Sequence, residues 1–113
     1  MHYLNPDDQA LGDEISESVL KVLNARRFFE RLEELVFPEG DSGVRNCDHS
    51  YNITDSILLT VGFDEIERED ILIVFKSHGG FCDCEVLYNV DDRGESPKAR
   101  YWRSKAVAAE VRA

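Results

Sequence analysis

The sequence has no apolar run approaching the roughly 20 residues needed to span a bilayer, so no membrane-spanning segment is expected. Its first residues, 1–8, lack a basic stretch followed by an apolar core, and no secretory leader is expected. Basic residues are scarce. Thirteen Lys and Arg face 23 Asp and Glu, for a formal net charge of −10. A field of that sign repels phosphate backbones and anionic lipid, which argues against nucleic acid or membrane as partner. Cysteines number three, an odd count that suits a disulfide framework poorly. A reducing, cytoplasmic setting is the simpler expectation. Internal repeats, a phosphate-cradling glycine loop, a helix with paired metal-binding histidines and a Ser-His-Asp pattern are all missing.

What is present suffices for one domain. The chain has 113 residues, 42% of them hydrophobic and 10% aromatic, which supports a real core and leaves no room for two. Charge is unevenly spread. Residues 98–113 hold Lys98, Arg100, Arg103, Lys105 and Arg112 against Glu110, a net of +4, so residues 1–97 sum to −14. An acidic body with a basic tail suggests that the tail docks on the body or on a second copy; a solvated tail without a role is the competing reading.

Residues 5–36 read as helix. Ile15, Val19, Val22 and Leu23 recur at helical spacing, as do Phe28, Leu32, Leu35 and Val36, with a joint at Asn24 and Ala25. Residues 38–43 form a loop. Residues 47–53 alternate strictly, Cys47, His49, Tyr51 and Ile53 against Asp48, Ser50 and Asn52, which predicts a half-buried strand. A short helix is expected over 56–61, stopped by Gly62. Asp64 and Glu67 have capping-box spacing before another helix with Ile66, Ile71, Val74 and Phe75 on its apolar face. Gly79 and Gly80 end it. Residues 81–90 read as a second strand, 91–94 as a turn, and the tail as a short helix. The expected class is therefore α+β: N-terminal helices, then strand, helix, helix, strand, in a single domain over 1–97 followed by the tail.

All three cysteines fall in two tripeptides, Cys47-Asp48-His49 and Cys82-Asp83-Cys84. In extended chain, residues two apart share a face, so each tripeptide would present two donors. Adjacent strands would then assemble Cys47, His49, Cys82 and Cys84 into a closed Cys3His set. Thiolate and imidazole are the donors zinc prefers. Two other readings stand beside this one: reduced core thiols, and a redox or disulfide role. His78 is a substitute ligand, or simply a histidine ending a helix. Asp48 and Asp83 read as solvent-facing strand residues or as supports for the ligands. Glu85 is the carboxylate placed to act as a general base if the site were catalytic.

The run Gly79-Gly80-Phe81-Cys82-Asp83-Cys84-Glu85-Val86, with Asn89-Val90 after it, closely resembles the signature of a bacterial family, domain of unknown function 2695. Cys47-Asp48-His49 followed by Thr54 is similar to that family's first motif. The resemblance covers about residues 28–90. It implies a bacterial cytoplasmic protein and places Cys47, His49, Cys82, Cys84 and Glu85 in a family pattern, without implying an activity. The expectation drawn from the residues is a non-enzymatic, metal-stabilised module that engages a protein partner or a second copy of itself. The alternatives are a metal-dependent hydrolase or thiol enzyme around Glu85, and an acidic inhibitor.

Overall fold

The architecture was described from a computed structural model, which covers residues 4–38 and 46–92 together with residues 105, 106 and 109. Five helices follow one another: α1 (Pro6–Ala25), α2 (Phe28–Val36), α3 (Asn52–Thr60), α4 (Glu65–Ser77) and α5 (Asp83–Asn89). Among the described residues there is no strand. The expected α+β class is thus wrong, and so are both strands. No helix among the described residues is long and apolar enough to cross a membrane.

The reasons for the two corrections are local. At 47–53 the alternation comes from a turn. Asp48 accepts hydrogen bonds from the Ser50 amide at 3.1 Å, from the Ser50 hydroxyl and from the Asn52 side chain at 3.1 Å. His49 takes a left-handed conformation, φ 68°, and α3 begins three residues later. Short polar side chains that bond to nearby backbone compete with ladders in this way. At 81–90 the burial pattern is helical: Asp83, Cys84, Val86, Leu87 and Val90 are buried, with neighbours such as Val86 and Leu87 both inside. A strand would send those two to opposite faces. The β propensity of Val and Tyr yields here to packing, a common outcome for a weak prior.

The helical expectations fared better. Asn5 caps α1 by accepting from the Asp8 amide, and Pro6 occupies the first turn, where its missing N–H costs nothing. The α1–α2 joint lies at Arg26 and Arg27, the latter left-handed with φ 57°. Asp64 and Glu67 form the expected capping box at 2.8 and 2.9 Å. Gly79 (φ 86°) closes α4, with the Gly80 amide bonded to the Phe75 carbonyl at 2.8 Å and the Gly79 amide to Lys76 at 3.1 Å. Ile66, expected on the buried face of α4, is 72% exposed instead. The 38–43 loop falls, from residue 39 on, outside the described residues, as do residues 93 and 94 of the 91–94 turn and most of the tail. Of the tail, Lys105, Ala106 and Ala109 are helical.

Phe28, Phe29, Leu32 and Val36 of α2 are wholly buried and meet Leu23, Leu58, Phe75, Val86 and Leu87 from the other four helices. Phe28 packs edge-on to Phe29 at 5.1 Å and against Phe75 at 5.6 Å. The helix α1 runs along α4, approaching closely at Gly12, where a Cβ would stand 2.6 Å from that of Ser77. This leaves α3 and α5 to meet at their N-terminal ends, where the cysteines lie.

Candidate metal centre

Two backbone segments 35 residues apart are tied together at that end. Cys47 lies in the loop before α3. Cys82 is the N-cap of α5, and Cys84 is in its first turn. The residue between them, Asp83, does the tying. Its carboxylate accepts the Thr54 amide at 2.8 Å and the Ile53 amide at 3.2 Å, both in the first turn of α3. No side chain of α3's own N-cap, Tyr51, serves that purpose. In return the Asp83 amide donates to the Ser50 carbonyl at 2.9 Å. Asp83 is therefore a cap supplied in trans, 1% exposed, and not the solvent-facing residue expected from a strand. Tyr51 adds a second tie, its hydroxyl donating to the Gly80 carbonyl. Glu85 folds back on its own helix, accepting the Phe81 amide at 3.1 Å.

The consequence is a cluster of thiols. The sulfurs of Cys47, Cys82 and Cys84 all lie within 4.8 Å of one another, and those of Cys82 and Cys84 are 3.5 Å apart. Cys82 and Cys84 are buried and Cys47 is half-buried. A zinc ion with bonds of about 2.3 Å holds tetrahedral thiolates about 3.8 Å apart, so small side-chain rotations would close the set on an ion. His49 does not join it. It is exposed on the left-handed turn, since the turn at 48–50 removes the two-residue periodicity that would have placed it beside Cys47. His78, the C-cap of α4, is also exposed and outside the cluster, and His2 lies outside the described residues. Asp48 is exposed, its carboxylate held below the ordinary value by Ser50 and Asn52.

The three thiols divide unequally. Burial pushes Cys47 up, but the backbone N–H groups of Cys84 and His49 and the thiols of Cys84 and Cys82 outweigh it, holding Cys47 below the usual cysteine range. Burial pushes Cys82 up, opposed by the Glu85 amide. Burial, then the two neighbouring sulfurs, push Cys84 up further. Cys47 is thus the most acidic of the three thiols. The cluster is a soft, electron-rich site, open on the Cys47 side.

Tyr51 is the residue sequence reasoning missed as an organiser of the site; it had only its alternation with Cys47 to mark it. Asp83 was read as a solvent-facing residue or as a support for the ligands, but its role as a cap for α3 had no signal, because capping in trans has no local pattern.

A family model described as "Protein of unknown function (DUF2695)" matches residues 28–89, which takes in α2 to α5 and all three cysteines and leaves α1 outside. No curated protein and no solved structure matches the chain.

Proposed function

We propose that this chain, which belongs to the DUF2695 family, holds a thiophilic metal ion, zinc first, on Cys47, Cys82 and Cys84, and serves as a metal-stabilised module that engages a protein partner or a second copy of itself. The convergence of three sulfurs within 4.8 Å from two distant segments carries the reading. Three thiolates from soft side chains are the donor set chosen by zinc and other d10 ions. A bound ion would cross-link the loop before α3 to the start of α5, adding to a core of modest size. With His49 outside the set, the fourth zinc ligand would be water or a donor outside the described residues. The interaction half of the reading draws on the charge split between acidic body and basic tail.

The test is metal content by elemental mass spectrometry on untagged protein prepared without chelator, with zinc then restored to stripped, reduced protein. About one zinc per chain and a raised melting temperature are expected, both lost in Cys84→Ser. A stripped protein that takes up no zinc overturns the reading. Light scattering at low and high salt tests self-association.

A second reading has its own support: Cys47 is half-buried, is the most acidic of the three thiols and lies within 4.8 Å of the other two sulfurs. That arrangement suits thiol–disulfide exchange with a disulfide substrate: Cys47 attacks one sulfur and expels the other as a thiol, then Cys84 or Cys82 attacks the mixed disulfide, expelling the second substrate thiol and leaving an internal disulfide. Iodoacetamide would then modify Cys47 well ahead of the other two in native protein. Equal, slow reaction of all three would remove it.

A further inference from the structure

At the α1–α2 joint, beside the C-terminal end of α3, an acidic chain gathers positive charge. Arg26 and Arg27 at the α1–α2 joint and Arg31 on α2 line an open cavity of about 410 Å³ together with Ala25, Thr60 and Val61. None of these six residues is acidic, although the chain carries 23 carboxylate side chains. Arg26 is held in place: it donates to the Val61 carbonyl at 3.1 Å, and its guanidinium lies 4.2 Å from the centre of the Phe63 ring. Arg27 and Arg31 have no hydrogen bond or ion pair through their side chains among the described residues, in contrast to Arg68, which pairs with Asp55 at 3.3 Å.

One feature of this pocket is costly for folding alone: Arg27 adopts φ 57°, a left-handed conformation that glycine takes freely and arginine does not.

We infer that Arg26, Arg27 and Arg31 form a binding site for the phosphate group of a small molecule. Guanidinium is the side chain best matched to phosphate oxygens, which it meets with two parallel N–H donors. The cavity is open, with Ala25, Arg26, Arg27, Arg31 and Thr60 all exposed, so it suits the phosphate end of a phosphorylated sugar or a nucleoside monophosphate whose remainder stays in solvent. The net charge of −10 selects among phosphate carriers. A long polyanion would meet repulsion over most of the surface, whereas a compact anion meets only the local positive field. The site is separate from the cysteines and does not depend on the metal reading.

The test is calorimetric titration of the full chain with pyrophosphate and with adenosine monophosphate in 0.15 M sodium chloride (a concentration at which exposed charges are already screened beyond about 8 Å). Binding with a Kd at or below about 1 mM is expected. It should weaken at least tenfold in the double variant Arg27→Gly with Arg31→Gln. That variant removes exposed side chains and relieves the left-handed arginine, so its phosphate-free melting temperature should equal or exceed that of the wild type. Three results overturn the site: no heat beyond that of added sodium chloride, a double variant that binds as tightly as the wild type, or a loss of binding explained by a lowered melting temperature. Capture of a single-stranded oligonucleotide in preference to both small probes would also overturn it.

Discussion

Replacing Asp83 with alanine should uncouple α3 from α5. The side chain makes two hydrogen bonds from a charged acceptor to the Ile53 and Thr54 amides, and such bonds contribute about 1.5–3 kcal/mol each. The alanine variant orphans both amides, while sparing the fold the burial of a carboxylate, which offsets part of the loss. A net destabilisation of about 2–4 kcal/mol follows, or a fall in melting temperature on the order of 10 °C for a domain of this size. Asp83→Asn keeps one acceptor oxygen and should cost about half as much. Urea unfolding of reduced, chelator-treated protein measures both. Because Asp83 also sets the distance from Cys47 to Cys82 and Cys84, the alanine variant should bind zinc more weakly although Asp83 supplies no ligand. A variant within 0.5 kcal/mol of wild type, a margin on the order of ordinary surface substitutions, would refute the trans cap.

Gly12→Ala gains about 1 kcal/mol of helix propensity, but its Cβ would stand 2.6 Å from the Ser77 Cβ and 3.2 Å from the Ile73 carbonyl oxygen. Overpacking of that kind costs about 1–3 kcal/mol, so a net loss is expected in urea unfolding, and a gain would refute the close α1–α4 approach. The Thr54 hydroxyl is buried and has no partner among the described residues; Thr54→Val should raise stability by about 1 kcal/mol, read from the same curves. Tyr51 is pushed well above the usual phenol range by burial, then by the charges of Cys82, Glu85 and Asp83. A raised folded value means its contribution is complete below pH of about 10, the unfolded value, and is lost above it. Wild-type stability should therefore fall faster than that of Tyr51→Phe above that pH, and parallel profiles would refute the burial. Zinc binding at pH 7 must displace protons from Cys82 and Cys84, so roughly two to three protons should be released per ion, measured in weakly buffered solution; release of none would argue against thiolate ligation.

The helical half of the fold was legible because its signals are local. Asn5 and Pro6, the Asp64–Glu67 box and the Gly79 stop each act within one turn, and the α2 positions Phe28, Leu32 and Val36 repeat at helical spacing. The segments misread as strands are short and carry β-branched and aromatic residues, so alternation and helical periodicity could not be separated over so few positions. The cysteines were found but their geometry was not. Cys47, Cys82 and Cys84 do converge, through a turn and a helix N-terminus in place of paired strands, and the same turn carries His49 away.

By itself, the sequence determined an acidic composition, the caps and stops of α1 and α4, the residues of the α2 core and the resemblance to a family whose model matches residues 28–89. Those follow from composition and from interactions within a few residues. Only the tertiary structure decided that α5 is a helix, that Asp83 caps α3 across 29 residues, which three donors share the site and that three arginines meet beside Thr60 and Val61. Each of these depends on groups distant in the chain whose mutual burial selects one conformation, and a local pattern carries no record of a partner that lies elsewhere.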